Sequence, residues 1–201
     1  MKLYFATGAC SLAPHILLKE TGLPFEVERV ELSTHKTAQN IDFYSINVKG
    51  SVPFLVLDNG ESLSEGPVIC QYLADKAQDT SLMPQAGTMA RYRVMEWQNY
   101  ITSELHKSFS PLFNPEASVE TKALFANQLR KKFAWVSSQL ANNSYLTGEN
   151  FTVADAYLFV VTSWSKYVNL DLSHCLELQA FLQRVAARPA VQAALKAEGL
   201  M

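Results

Sequence analysis

The sequence predicts two domains of different class, an α/β domain over residues 1–81 and an all-α domain over residues 89–201, joined by a linker at 82–88. Three observations carry this reading. Short strand-like and helix-like segments alternate through the first part of the chain. The composition then breaks at Leu82-Met83-Pro84-Gln85-Ala86-Gly87. Everything after that break reads as helix, in long periodic segments.

The run KLYFA, residues 2–6, is compact, apolar and aromatic, and it stops at Gly8. Residues 11–21 show a helical pattern with Leu12, Ile16 and Leu17 on one face and Gly22 just past the end, where a left-handed residue closes a helix. FEVERVEL, residues 25–32, alternates apolar and charged residues as a half-buried strand does. A polar stretch at 33–40 and an irregular or short helical piece at 41–46 follow. Pro53 opens FLVL, residues 54–57, and Asp58-Asn59-Gly60 closes it. An Asn-Gly pair predicts a hairpin with a type I′ turn, because that turn needs positive φ at both central residues. The second arm is 61–63, and a helix over 65–76 turns Val68, Ile69, Tyr72 and Leu73 inward. The order is β-α-β-(α)-β-β-α.

In the second domain the spacing predicts a long helix over 88–109, ended by Pro111 and Pro115. Another spans 118–140, with Glu120 in its first turn, where the helix dipole favours an acid. Thr152-Val153-Ala154-Asp155 fits a capping box ahead of the apolar run 156–164. Two shorter helices, 175–187 and 189–198, close the chain, with Pro189 suited to a first helical position.

Composition narrows the function. The 201 residues carry a net charge of -2 and no run of Lys or Arg, which excludes a phosphate-tracking surface and nucleic acid as a partner. Cys10, Cys70 and Cys175 are odd in number and far apart, with no Cys-x-x-Cys pair and no zinc spacing, so no metal and no disulfide framework is expected. The N-terminus has no signal-peptide pattern, and no stretch approaches the ~20 apolar residues of a membrane span. A cytoplasmic protein with no membrane partner is expected.

A few residues can carry chemistry. Cys10 lies after the first strand, at the start of the first helix, where unsatisfied N–H groups and the dipole stabilise a thiolate. Cys70 and Cys175 fall inside helical patterns and read as core. Val52-Pro53 precedes a strand; by spacing alone an ordinary trans proline is the simpler reading, while a cis bond would aim the Val52 backbone at a peptide ligand. Ser64-Glu65-Gly66 opens a helix whose free N–H groups suit a carboxylate, with Glu65 able to hold an ammonium or act as a plain cap. Asn99, Ser103 and His106, at spacings of four and three, share a face that could line a cleft or be solvated. Asp155 reads as structural.

Taken in order, GACSLAPHI, NVKGSVPFLVLDNG, LSEGPVICQYLAD, EWQNYITSELHKSF and FTVADAYLF make this chain resemble the bacterial beta class of glutathione transferases along its whole length. The resemblance implies a thioredoxin-like N-terminal domain, an all-α C-terminal domain and a homodimer. It implies glutathione as co-substrate, with Cys10 beside its sulfur and Val52, through a cis Pro53, pairing with its backbone. Glu65 and Gly66 would take the γ-glutamyl end, and Asn99, Ser103, Glu104, Leu105 and His106 would supply helical-domain and cross-dimer contacts. Cys10, Ser11 and His106 would stabilise the thiolate, and Tyr157, Trp164 and Phe113 would face a hydrophobic electrophile. The family often has Tyr at position 5 and Lys at position 35, where this chain has Phe5 and His35. Tyr4 cannot replace the former, since neighbouring strand residues face opposite ways. A mostly neutral His35 weakens a contact to the glycine carboxylate, for which Lys36 could compensate. Two other functions remain: thiol transfer through Cys10 as a monothiol, Ala13 excluding a dithiol pair, and a non-catalytic scaffold.

Overall fold

The computed structural model describes residues 1–201. The chain forms two compact units, Met1–Met83 together with Ala187–Met201, and Pro84–Ala186.

The first unit is built on a five-stranded sheet of order β3-β2-β1-β4-β5. Its strands are β1 (Lys2–Phe5), β2 (Glu26–Glu31), β3 (Lys36–Thr37), β4 (Phe54–Val56) and β5 (Ser62–Ser64). Strand β1 runs parallel to β2, with Leu3 opposite Val27, and antiparallel to β4, with Leu3 opposite Leu55. Helices α1 (Leu12–Thr21) and α2 (Gly66–Lys76) pack together. Alternation along β1 divides its neighbours between two faces. Phe5 meets the His15 ring of α1 at 5.7 Å. Tyr4 packs on the other face against Phe43 at 5.5 Å and Phe54 at 6.4 Å, among Ala6, Val30 and Val52. This is the expected thioredoxin-like arrangement, with a two-residue strand, β3, added from the polar stretch. It is paired to β2 through Val30 and Thr37.

The β4–β5 hairpin forms, but not through a type I′ turn. Leu57 N–H donates to the Glu61 carbonyl at 2.8 Å, leaving a three-residue loop. Within that loop Gly60 alone has positive φ, +86°. A left-handed residue closing a three-residue loop needs glycine only at its last position, so the Asn-Gly pair located the turn and misjudged its type.

The last helix, α8 (Pro189–Ala197), belongs to the first unit, against the expectation that everything after the linker forms one helical domain. It packs on α1, and Arg188 clasps Glu20 with two bonds, Nε to Oε1 at 2.6 Å and Nη2 to Oε2 at 3.0 Å. An amphipathic pattern shows that a helix buries one face; it does not say which core receives that face.

The second unit contains α3 (Met89–Tyr100), α4 (Lys107–Phe113), α5 (Val119–Gln139), α6 (Val153–Ser163) and α7 (Leu176–Ala186). The residues of α6 from Val153 to Thr162 are all buried, which makes it the core of this unit. The predicted helix over 88–109 is interrupted by a π-helical turn, Ile101–His106. Pro111 does not end it either, since α4 runs through that proline to Phe113. A proline costs one backbone bond and a clash with the carbonyl four residues earlier, and so close to a helix end little ladder is lost. No helix is long and apolar enough to cross a membrane.

Asp155 closes the capping box and does more. Its carboxylate accepts from Thr152 N–H at 2.8 Å, the Thr152 hydroxyl at 2.7 Å and Leu146 N–H at 2.8 Å. Complete burial nonetheless pushes its pKa up, to about 6, against the lowering effect of those donors. An unfolded aspartate titrates near ~3.9, so the raised folded value means that the fold favours the protonated form. Asp155 therefore adds stability fully below about pH 4, and that increment is lost as pH rises through about 6. Compared with the non-titrating Asp155→Asn variant, the urea midpoint of the wild type should lead most at low pH and fall back across this window. A lead that grows with pH would show that the carboxylate is the favoured form.

Candidate functional site

In the first unit, β1 ends where the chain must turn into α1, and this turn presents Cys10. Ala9 N–H donates to the Ala6 carbonyl at 3.0 Å, and Gly8 adopts φ +70°, a region in which a side chain is strained. The Cys10 thiol donates to the Val52 carbonyl at 3.4 Å. The Val52-Pro53 bond is cis, as the resemblance implied and the spacing did not. Cys10 is partly exposed, whereas Cys70 and Cys175 are buried and burial pushes both thiols up. The reactive-looking cysteine is thus the one at a helix start.

Ser11 does not take the expected role of thiolate donor. Its side chain is fully buried, accepting from Ala6 N–H at 3.1 Å and donating to the Ala6 carbonyl at 3.2 Å. Both capacities of the hydroxyl are spent on the loop, so Ser11 staples the turn.

Glu65 precedes α2 with φ +70°, an unusual conformation for a residue with a side chain, of the kind that collects at ligand sites. Its carboxylate pairs with Lys49 Nζ at 3.2 Å, in the open. A Cβ on Gly66 would make only ordinary contact with Pro53, at 3.6 Å, so the chain's own packing does not require glycine there. His35 also has positive φ, +51°; its ring lies tilted against Tyr44 at 4.6 Å, and its buried Nδ1 has no partner. Lys36 is exposed and donates to Asn40 Oδ1 at 3.0 Å. Phe5 has no hydroxyl and faces α1, while Tyr4 faces away from that helix, so nothing on β1 replaces the phenol that the family often carries at position 5.

In the second unit the π turn changes the predicted face. Five-residue bonding adds a residue to the turn and rotates all that follows. Asn99 and Ser103 stay exposed, the Ser103 hydroxyl bonding back to the Asn99 carbonyl at 3.1 Å. His106 turns partly inward instead, its ring 4.7 Å from Trp164. Its Nδ1 lies 2.6 Å from the Tyr157 hydroxyl. Burial, with the Lys107 charge adding to it, lowers the pKa of His106 to about 4, so the ring is neutral at physiological pH. Leu105 is fully buried, which leaves no side-chain surface for a ligand. Glu104 pairs with Lys132 of α5 at 2.9 Å. Among the residues expected to meet an electrophile, Tyr157 and Trp164 are buried and Phe113 is half-exposed, so the aromatic surface narrows to Phe113. No set of His, Cys, Asp and Glu side chains is gathered as for a metal ion.

Comparison with known proteins identifies the framework. Residues 7–76 match the family model for the glutathione S-transferase N-terminal domain, and residues 100–189 match the model for the C-terminal domain. The chain belongs to the glutathione S-transferase family. It is 46% identical to glutathione S-transferase GstA of Escherichia coli O157:H7, with 100% of both chains covered. A beta-class glutathione S-transferase of Sphingomonas chungbukensis is similar in structure, with TM-score 0.96, 44% identity and 100% of both chains covered. So is a sphingomonad glutathione S-transferase solved in complex with glutathione, with TM-score 0.96 and 45% identity over 100% of both chains. The resemblance to the beta class read from the motifs is therefore correct.

Residues of this family member that the sequence did not flag also hold the site. Glu198, at the end of α8, accepts from Gly8 N–H at 3.0 Å and meets His15 Nδ1 at 2.9 Å, both side chains being buried. The one signal was His15 itself, a polar residue inside an apolar helix pattern, which needs a buried partner. Glu198→Ala and His15→Ala should each cost on the order of 2–4 kcal/mol in urea unfolding, because each leaves a buried polar group unpaired. The double variant should lose less than the sum; strict additivity would mean the two side chains do not interact.

Proposed function

We propose that the protein joins the thiol of glutathione to hydrophobic electrophiles, as a cytoplasmic homodimer. The observation that carries this is Cys10 at the start of α1, bonded to the carbonyl of Val52 beside the cis Pro53. It occurs in a chain 45% identical to a glutathione S-transferase solved with glutathione. The family resemblance supplies the pose. The sulfur lies by Cys10, the backbone pairs at Val52, the γ-glutamyl end sits at Glu65 and Gly66, and the glycine carboxylate lies near His35. Asn99, Ser103 and Glu104 offer polar contacts, with Leu105 contributing only backbone. For the ammonium to reach Glu65, Lys49 must release it, an exchange of one exposed ion pair for another that costs little. Exposed Met89, Tyr92 and Met95 on α3 supply apolar surface of the kind a second copy would cover.

In the reaction, glutathione loses its thiol proton to solvent water and the thiolate attacks an electrophilic carbon. A C–S bond forms from a sulfur electron pair, and either a leaving group departs with the pair of its own bond or the π pair of an activated double bond moves onto the neighbouring atom, which is then protonated. With Ser11 committed to the loop and the Cys10 S–H given to the Val52 carbonyl, stabilisation of the thiolate falls to the helix start and, as the family resemblance implies, to His106. A neutral His106 serves as a donor, not as a counter-charge.

Thiol transfer is the second reading, favoured by the partial exposure of Cys10 at a helix start. The Cys10 thiolate would attack a glutathione mixed disulfide and release the other thiolate, and a second glutathione would then resolve the enzyme disulfide to oxidised glutathione. A scaffold without activity should pass through glutathione-agarose unretained.

Conjugation to a chloronitrobenzene separates these readings. Wild type should turn over, Cys10→Ala should retain activity, and His106→Ala should lose about tenfold or more, roughly 1.4 kcal/mol of transition-state stabilisation. An inactive wild type that reduces glutathione mixed disulfides only while Cys10 is intact would establish thiol transfer instead. Separately, His35→Lys should tighten glutathione several-fold in calorimetric titration; unchanged affinity would remove position 35 from the carboxylate contact.

A further inference from the structure

Three elements converge on His106 in the second unit, and each controls a different degree of freedom. The π turn Ile101–His106 sets where its backbone lies. That turn is held from α5 by Lys132, whose Nζ donates to the Glu104 carbonyl at 2.9 Å and to the Ser108 hydroxyl at 3.2 Å, besides pairing with the Glu104 carboxylate. The indole of Trp164 meets the imidazole at 73°, edge to face, and fixes the plane of the ring. The Tyr157 hydroxyl, from α6, addresses one nitrogen only.

We propose that Tyr157 is the positioning residue of His106: its hydroxyl donates to Nδ1, which places the ring proton on Nε2 and makes that nitrogen a hydrogen-bond donor. The O···N separation of 2.6 Å favours this direction. Toward oxygen acceptors, bonds donated by hydroxyls cluster near 2.7–2.8 Å and those donated by N–H near 2.9–3.0 Å, so a short contact points to the hydroxyl as donor. A neutral imidazole carries one proton, so an acceptor role at Nδ1 forces the donor role on the other nitrogen. His106 is kept neutral by its burial. Nε2 has no hydrogen bond within the chain. The opposite tautomer would present a lone pair there, which repels a thiolate; the proposed one presents N–H, which binds it. The catalytic meaning of this assignment rests on the His106 role proposed above, while the tautomer itself does not.

The test is to label the protein with 15N-histidine and record long-range proton–nitrogen correlations at neutral pH. Among the four histidines, His106 is assigned by its loss in His106→Asn. The expected spectrum has an unprotonated, acceptor-type Nδ1 and a protonated Nε2. Tyr157→Phe, which removes only the hydroxyl, should mix the two forms and lower kcat for conjugation about three- to tenfold, with KM for glutathione held within about twofold. The wild-type spectrum needs no variant to fold, and a proton found on Nδ1 there overturns the assignment. So does a Tyr157→Phe protein whose tautomer is unchanged. If the tautomer shifts while kcat holds in both Tyr157→Phe and His106→Asn, Tyr157 is confirmed as the residue that sets the ring, and the thiolate role of His106 is what fails.

Discussion

The two oxygens of the Glu198 carboxylate take the Gly8 N–H and the His15 ring, 190 and 183 residues away along the chain, and the end of β1 depends on that contact. A turn that must expose a thiol is poor in packing of its own. Here it is held by polar bonds on two sides, the Ser11 hydroxyl to Ala6 from within and Glu198 to Gly8 from the last helix. The Ser11 bond is buried and the Glu198 bond half-buried, settings in which a missing partner is costly. Cys10 can then stand at the helix start with its thiol donating to the Val52 carbonyl.

The helical unit uses a different means to the same end. A straight α-helix over 88–109 would keep Asn99, Ser103 and His106 on one exposed face. The π turn breaks that phase, leaves the first two outside and brings His106 against Tyr157 and Trp164. Within it the Glu104 carbonyl accepts from both the Ser108 hydroxyl and Lys132. Burial keeps the ring neutral and its aromatic neighbours fix its plane, so the histidine is an oriented dipole and carries no charge at physiological pH. Phe109, Phe113 and Trp164 continue the aromatic packing around it, with ring centroids 5.6 and 6.1 Å from the indole.

Asp155 shows how much of this depends on α6. That helix is buried along nearly its whole length and carries Tyr157 two residues after the aspartate. Its first turn is closed by Asp155 and Thr152, and the same carboxylate reaches Leu146 across the preceding loop. A cap that also ties down the incoming chain sets the start of the helix, and so the height at which Tyr157 meets His106.

Local chemistry made most of the framework legible. Gly22 as a helix stop, the alternation of FEVERVEL, the Thr152–Asp155 cap and the position of Cys10 at a helix start are short-range facts, decided within a few residues, and the sequence by itself determined them. The ordered motifs did the same for the family. Only the tertiary structure decided the rest: that α8 joins the first unit, that Ser11 is a staple, that Leu105 is core, and that Glu198 and Tyr157 serve Gly8, His15 and His106. A side chain's local pattern says that it needs burial or a partner; which partner it meets is set by the packing of elements far apart in the chain, and no short stretch of sequence encodes that.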